Sequence, residues 1–189
     1  RARREVLIIG GAGGSLASML ARRGHKVTVV DIDPVAKRLA EKYFLLDPRV
    51  AWVTDDGASY IFGDRTFSAV VVDACDASGT RTAFLNARWI VEAMDRVAPG
   101  GSLLINLATD GWRLLDGWRL GRDVASSGLQ ARLWNPEDGC EGNDILEIRR
   151  RRRISELDVR DVLARPVEAR TYLLSLRGAW IDRQKLQAV

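Results

Sequence analysis

Aspartates stand where the apolar runs of this chain end, and that placement is the first sign of chemistry. Asp31 ends the run KVTVVD, Asp73 ends FSAVVVD, and Asp55 with Asp56 follows a run that finishes at Val53. A carboxylate that closes a buried strand can accept a proton, hold an ammonium group or bind ribose hydroxyls. Because the carboxyl ends of parallel strands meet at one edge of a sheet, we expect these side chains to lie together.

A glycine-rich loop, GGAGGSLA from Gly10 to Ala17, lies between the first predicted strand and its helix. Glycines let the backbone approach a ligand closely, and the N-terminus of the helix offers free N–H groups. Asp31 lies 21 residues after Gly10, a spacing at which a carboxylate can bridge the two hydroxyls of a ribose. Because the two features coincide, we favour a nucleoside cofactor over a tight glycine turn with a capping aspartate.

The elements that must position these residues alternate between strands and helices over the first 107 residues, as in a parallel α/β sheet. The predicted strands are 5–9, 26–30, 50–53, 67–72, 103–107, 129–134 and 144–150, and the predicted helices are 16–23, 33–46, 57–62, 83–97 and 114–126. The last two strands fit an antiparallel hairpin at the edge of the sheet. We predict an α/β Rossmann-like fold with a mostly parallel seven-stranded sheet and helices on both faces.

Residues 154–187 have a helical pattern in two pieces, broken near Pro166. No linker, internal repeat or low-complexity tract divides the chain. We therefore predict one domain over residues 1–189, with 154–189 as a C-terminal helical extension.

The composition argues against several classes of protein. The 189 residues hold no apolar run near the roughly 20 residues that a membrane helix needs, and no apolar segment of a signal peptide follows the first arginines. One histidine and two cysteines argue against a His-based metal site, a Ser-His-Asp triad and a disulfide framework. We therefore expect a cytoplasmic protein with no metal and no membrane association.

The net charge of +4 has a local origin. Five positive charges form one run, Arg149–Arg153, and the rest of the chain is close to neutral. Such a run can bind phosphate or nucleic acid. No interleaved aromatic residues or nucleic-acid-binding motif accompany it, so we favour charges that protect an edge strand from pairing and expect no nucleic-acid partner.

Five segments resemble, in order and spacing, the spermidine synthase family and its single-domain relatives, which share the class I S-adenosylmethionine-dependent methyltransferase fold. They are IIGGAGGSLA, VVDIDP, DPRVAWVTDDGASYI, FSAVVVDACD and VAPGGSLLINL, within residues 5–107. The dinucleotide pattern GxGxxG read from Gly11 fails because Leu16 occupies its third small position, which leaves NAD(P) as the weaker alternative. The resemblance implies S-adenosylmethionine, or its decarboxylated form, as the cofactor.

The resemblance also implies a role for each candidate residue. Asp31 would hold the ribose, and Asp56, with the backbone near Ala58, would meet the adenine amino group. Asp73 would be the catalytic carboxylate beside the transferred group. The full cofactor-binding set would be Gly10, Gly11, Ala12, Gly13, Asp31, Ile32, Asp56, Gly57, Ala58 and Asp73.

The acceptor would bind beyond Asp73. Asp76 would assist catalysis and hold an amine, and Asp110 and Trp112 after the fifth strand would complete this acceptor site. Trp112 is explained equally well as cover for the exposed edge of the core. Asp33 is more simply a helix N-cap, and Cys75 is more simply a small loop residue than a nucleophile.

Three departures from the family bear on the reaction. Polyamine aminopropyltransferases carry GGGDGG, in which the aspartate faces the amine of decarboxylated S-adenosylmethionine. Here the loop is one residue shorter and Ala12 stands at that place, so the repulsion toward the carboxylate of ordinary S-adenosylmethionine is absent. In addition, DACDASG replaces the usual DSSDP, and, because the predicted nucleotide-binding strand begins at Glu5, we expect the β-rich N-terminal domain of true spermidine synthases to be missing.

From these features we expect methyl transfer from S-adenosylmethionine to a small amine- or hydroxyl-bearing acceptor. A polyamine aminopropyltransferase that uses the decarboxylated cofactor is the first alternative. A non-catalytic partner subunit with the same fold and an NAD(P) dehydrogenase are the others. A homodimer or a partner chain would cover the side of the site that the missing domain leaves open.

Overall fold

The computed structural model describes residues 4–76, 79–108, 114–135, 143–150 and 177–181. Its strands are β1 (Glu5–Ile9), β2 (Lys26–Asp31), β3 (Ala51–Thr54), β4 (Phe67–Val72), β5 (Cys75–Asp76), β6 (Gly79–Thr80), β7 (Val97–Leu107), β8 (Gln130–Asn135), β9 (Asp144–Arg149) and β10 (Arg177–Ile181). Its α-helices are α1 (Ser15–Arg22), α2 (Ala36–Tyr43), α3 (Gly57–Tyr60), α4 (Ala87–Ala93) and α5 (Leu114–Ser126). None of these helices is long and apolar enough to cross a membrane.

The main sheet has the order β10-β8-β9-β7-β4-β1-β2-β3. Strands β3, β2, β1, β4 and β7 are mutually parallel. β9 pairs antiparallel with β7, β8 pairs antiparallel with β9, and β10 pairs antiparallel with β8. The chain winds outward from β1 through β2 to β3 and then crosses to β4 on the other side of β1, which creates a crevice at the carboxyl ends of these strands. The predicted α/β class with a mostly parallel sheet is confirmed.

Alternating residues of the central strands build a core on each face of the sheet. On one face Leu7 and Val70 are buried with Ile90 of α4 and Val124 of α5. On the other face Ile8 is buried with its neighbours in β2, beneath α1. The sheet is thus covered on both faces, and the strand ends are held in fixed positions.

The segment predicted as one helix over 83–97 is divided. A 3₁₀ turn covers Thr82–Phe84, α4 begins only after Asn86, and a second 3₁₀ turn covers Met94–Arg96. The Asn86 side chain accepts hydrogen bonds from the N–H groups of Arg88 at 2.9 Å and Trp89 at 3.4 Å, so it is the N-cap. At the other end, β7 starts at Val97 because this residue pairs with Phe67 of β4.

Two predictions near the C-terminus are wrong. Residues Arg177–Ile181, predicted as helix, form β10, which pairs with the open edge of β8 and gives the sheet eight strands where seven were predicted. Pairing with the free backbone groups of an edge strand has overridden the local helical pattern. The remainder of the predicted extension, 151–176 and 182–189, lies outside the described residues.

The run Arg149–Arg153 does not begin on an edge strand. Arg149 ends β9, which lies between β7 and β8, and its guanidinium forms a 2.7 Å ion pair with the buried Glu147. Arg150 pairs with Asp95, and 151–153 lie outside the described residues. The prediction that this run protects an edge strand is therefore wrong for Arg149, because the hairpin places β8 and not β9 farther out.

Candidate cofactor-binding and active site

A cleft of about 720 Å³ opens at the carboxyl ends of the central strands. This volume lies within the range of small-molecule sites, and the cleft occupies the crevice where the strand order reverses. The predicted residues that line it are Gly10, Ala12, Gly13, Asp31, Ile32, Asp56, Gly57 and Asp73. Gly11 and Ala58 are not among its lining residues.

The glycine loop is packed tightly against the protein itself. Gly10 has a φ of +90°, and a Cβ there would lie 2.7 Å from the carbonyl carbon of Asp73. A Cβ on Gly13 would lie 2.8 Å from the ring of Phe44, and one on Gly11 would overlap the Trp52 ring. These contacts alone account for the glycines. The features that indicate a cofactor are therefore the polar side chains around the loop.

Asp31 is fixed at the end of β2 by two backbone groups. Its Oδ2 accepts from the N–H of Gly11 at 2.7 Å, and its Oδ1 accepts from the N–H of Asp33 at 2.9 Å. Each carboxylate oxygen can accept more than one hydrogen bond, so both retain acceptor capacity toward the cleft. Asp31 is therefore held on the cleft wall with unused acceptor capacity, and its contact with a ribose stays a prediction.

Asp56 is the N-cap of α3. Its Oδ1 accepts from the N–H of Ala58 at 3.1 Å, and the carbonyl oxygen of Ala58 accepts from Trp89 Nε1 at 2.9 Å. Gly57 is buried against Ile9, where a side chain would not fit. The structure thus places Asp56 and Gly57 on the cleft wall, whereas both backbone polar groups of Ala58 already have partners in the protein.

Asp73 lies on the floor of the cleft beside Asn106, which was not among the predicted site residues. Its exposed carboxylate accepts, through Oδ1, a 2.6 Å hydrogen bond from Nδ2 of Asn106. Asn106 belongs to β7, which runs parallel to β4. A polar residue inside the apolar run LLINL was the one signal that could have identified it.

A second contact fixes the backbone around Asn106. Oγ1 of Thr80 donates to the carbonyl oxygen of Asn106 and accepts from the N–H of Ala108, each at 2.8 Å. Thr80 belongs to the small antiparallel pair of β5 and β6 that follows Asp73. The loop after β4 is therefore attached to the end of β7, and Asp73 is held between them.

The predicted acceptor residues are only partly placed. The backbone of Asp76 lies in β5, three residues beyond Asp73, and Cys75 lines the cleft with an exposed side chain. Asp110 and Trp112 lie outside the described residues. Asp33 accepts from the N–H of Val35 at 2.8 Å in the turn that leads into α2. The N-cap of this helix is Val35, so the prediction of Asp33 as the N-cap is wrong.

The charges that line the cleft are mainly negative. Among the described residues its walls carry four carboxylates, Asp31, Asp33, Asp56 and Asp73, and one guanidinium, that of Arg81. An acidic crevice with low-dielectric walls attracts cations. A sulfonium nucleoside fits this donor and acceptor set, because it offers ribose hydroxyls to Asp31 and a positive sulfur to the carboxylates. Over the same described ranges, no cluster of three or more His, Cys, Asp or Glu side chains is arranged to hold a metal ion.

Residues 6–101 match the family model described as a methyltransferase domain, and the chain belongs to this family. Two curated relatives are the eEF1A lysine and N-terminal methyltransferase homologs of Drosophila melanogaster, 33% identical over 118 residues, and Drosophila pseudoobscura pseudoobscura, 32% identical over 122 residues. Each match covers 55% of this chain and 18% of the relative, so the chain corresponds to under a fifth of these proteins.

Solved structures confirm the class I methyltransferase fold. Human methyltransferase-like protein 13, in complex with SAH, superposes with a TM-score of 0.71 at 18% identity. The superposition covers 99% of this chain and 89% of the human chain. A probable spermidine synthase from Corynebacterium glutamicum gives a TM-score of 0.74 at 15% identity, over 98% of this chain and 69% of its own. The resemblance to spermidine synthases is thereby confirmed for the fold, and membership of that narrower family stays a prediction.

Proposed function

We propose that this domain binds S-adenosylmethionine in the cleft at the strand ends and transfers its methyl group to an amine-bearing acceptor. The observation that carries the proposal is Asp73, which the Asn106 side chain holds on the cleft floor. The methyltransferase family match supports the reaction class. The Drosophila relatives, whose names refer to lysine and N-terminal methylation, support nitrogen as the methylated atom.

In this proposal Asp31 and the acidic rim position the cofactor. The Asp31 carboxylate, held by the N–H groups of Gly11 and Asp33, accepts hydrogen bonds from the two ribose hydroxyls. Ile32 and Asp56 also line the cleft and would offer an adenine one apolar and one acceptor side chain. Because Gly11 and Asp33 orient Asp31 before the ligand arrives, binding does not have to order this side chain.

The reaction requires an amine without its extra proton, in line with the methyl group. S-adenosylmethionine would supply an electrophilic methyl group here: transfer would form a new bond between the acceptor nitrogen and the methyl carbon, break the C–S bond and leave the sulfur as a neutral thioether. Oδ2 of Asp73 accepts a hydrogen bond from the incoming ammonium group and takes up its proton or passes it to solvent. Asn106 occupies Oδ1 and so fixes the direction of Oδ2. Most of the rate enhancement in such a site comes from positioning.

Aminopropyl transfer is the second candidate, and the structural similarity to a probable spermidine synthase favours it. The same cleft and the same Asp73 would serve that reaction, with a decarboxylated cofactor and a diamine acceptor. Ala12 argues against it, because the loop lacks the carboxylate that would hold the amine of that cofactor. The two candidates therefore differ in cofactor and not in the placement of Asp73.

The test is a matched pair of reactions followed by mass spectrometry. The protein is incubated with S-adenosylmethionine or with its decarboxylated form, each with a lysine peptide, a peptide with a free N-terminus, a diamine and a hydroxyl compound. We expect methylated amine from the first cofactor and its loss in Asp73→Asn. Aminopropyl product from the second cofactor alone would establish the alternative. Binding of S-adenosylmethionine without any transfer would favour a non-catalytic subunit.

A further inference from the structure

We propose that Arg81 binds the carboxylate of the methionyl part of the cofactor and so selects S-adenosylmethionine over its decarboxylated form. This inference rests on the proposed function, because it concerns the same cleft. It assigns a specificity-determining role to a residue that lies outside the segments on which the family resemblance depends.

The local backbone brings Arg81 beside the catalytic end of the cleft. The N–H of Arg81 donates to the carbonyl oxygen of Ala74 at 3.1 Å, directly after Asp73. Ala74 in turn packs against the glycine loop, since a Cβ on Gly10 would lie 2.9 Å from its Cα. Arg81 and Ala12 thus line the same cleft as Asp73. The methionyl end of a cofactor whose reacting sulfur faces Asp73 would lie in this region.

The guanidinium of Arg81 is available for a ligand. Its side chain is exposed, and no carboxylate in the described part of the chain forms an ion pair with it. Arg65 and Arg88, by contrast, are paired with Glu5 and Glu92. A planar guanidinium binds a carboxylate through two parallel hydrogen bonds, a geometry that an amine does not offer.

The charge of the cleft explains why such a cation is needed. Four lining aspartates attract the sulfonium and the amino group but repel the methionyl carboxylate. The decarboxylated cofactor has only the attractive interactions and would bind well without Arg81. Ala12 removes one source of repulsion, and Arg81 adds an attraction for the carboxylate. Together these two residues favour the ordinary cofactor.

Calorimetric titration of two nucleosides tests the assignment. S-adenosylhomocysteine carries the amino-acid part, and 5′-methylthioadenosine has the same nucleoside without it. In Arg81→Gln we expect the affinity for S-adenosylhomocysteine to fall by about tenfold or more, as for loss of a charged hydrogen bond, and that for 5′-methylthioadenosine to stay unchanged. Arg88→Gln removes an equal charge from the surface of α4 and should change neither affinity.

A second comparison measures selectivity directly. Wild type should prefer S-adenosylmethionine to its decarboxylated form, and Arg81→Gln should lose that preference, with an unchanged melting temperature as evidence of intact folding. Equal losses for both nucleosides, or no loss for either, would overturn the assignment. So would an unchanged affinity for S-adenosylhomocysteine with a raised KM for the acceptor. If wild type binds neither nucleoside, the proposed function fails as well; if it binds both and only the Arg81 effect is missing, this inference alone fails.

Discussion

The side-chain amide of Asn106 donates a 2.6 Å hydrogen bond to Oδ1 of Asp73 and so joins the ends of β7 and β4 across the floor of the cleft. Both residues are carried by buried parallel strands whose register places Val72 opposite Ile105. The carboxylate is therefore held by the rigid part of the fold although it is exposed to the cleft.

Asp73→Asn should remove catalysis and leave cofactor binding intact. The amide keeps the shape of the side chain but cannot take up a proton, so we expect methyl transfer to fall by about 10² to 10⁴. The affinity for S-adenosylhomocysteine, measured by calorimetry, should change by only a few-fold because Asp31 is untouched. Transfer at a rate close to that of wild type would show that Asp73 has no catalytic role.

If Asn106 positions Asp73 through this hydrogen bond, its variants should affect kcat more than stability. Asn106→Ala frees Oδ1 of Asp73 and should lower kcat by about tenfold with little change in melting temperature. Asn106→Asp places a second carboxylate at the same point and should lower kcat further, because the two negative charges repel. A fall in melting temperature with kcat unchanged would indicate that the contact is only structural.

Asp31→Asn should weaken the cofactor complex. The amide lacks the charge, and its nitrogen is a donor that cannot accept a hydrogen bond, so the N–H of either Gly11 or Asp33 loses its partner. We therefore expect the affinity for S-adenosylhomocysteine to fall by about 10- to 100-fold. Asp33→Asn is the matched control, because Asp33 lines the same cleft but its side chain is engaged with the N–H of Val35. Equal losses in both variants would mean that general negative charge, and not Asp31 itself, binds the cofactor.

Alanine substitutions at Gly10 and Gly24 distinguish the energetic cost of backbone strain from that of steric overlap. Their φ angles are nearly equal, +90° and +87°, but a Cβ on Gly10 would meet the backbone of Asp73, whereas one on Gly24 would meet nothing within 4 Å. We expect Gly24→Ala to lower the free energy of unfolding by about 1 to 2 kcal/mol and Gly10→Ala to lower it by clearly more. Urea unfolding measures both; equal losses would contradict the overlap with Asp73.

The free energy of unfolding should fall in acid because protonation of Asp47 removes its ion pair with Arg49. Arg49 donates to both carboxylate oxygens, at 2.9 and 2.8 Å, and holds the pKa of Asp47 well below its ordinary value of 3.8. Because the pKa of Asp47 is lower in the folded state than in the unfolded state, the charged carboxylate contributes its full stabilisation when the pH is above the unfolded-state pKa. This contribution is lost progressively as the pH falls from the unfolded-state pKa through the folded-state pKa. The deficit in stability of Asp47→Asn at neutral pH should therefore shrink below about pH 4. An unchanged deficit in acid would exclude the ion pair as its cause.

The sequence was sufficient for the features that depend on local pattern. Asp31 and Asp73 were predicted at strand ends because each closes an apolar run that could only be a buried strand, and the structure brings both to one cleft. The start of α4 was missed, although Asn86 is a residue type that commonly caps helices. The N-cap signal of Asn86 was present in the sequence, but the helical pattern of the apolar residues around it favoured one longer helix.

Other features depend on contacts between distant segments and could not be read from local pattern. Asn106 meets Asp73 across 33 residues of chain, and only the parallel pairing of β4 and β7 brings them together. β10 forms because β8 offers it an open edge, which a helical pattern in the sequence does not disclose. Arg81 lines the cleft from the segment after β4. The sequence of this segment has no helix or strand periodicity from which the position of Arg81 could be predicted.

A crystal structure of the protein with S-adenosylhomocysteine tests the central claim most directly. We predict the nucleoside in the cleft at the strand ends, with its ribose hydroxyls within hydrogen-bond distance of the Asp31 carboxylate. Its sulfur should face Asp73, and its carboxylate should contact Arg81. A nucleoside bound elsewhere, or one in this cleft with its sulfur directed away from Asp73, would contradict the account.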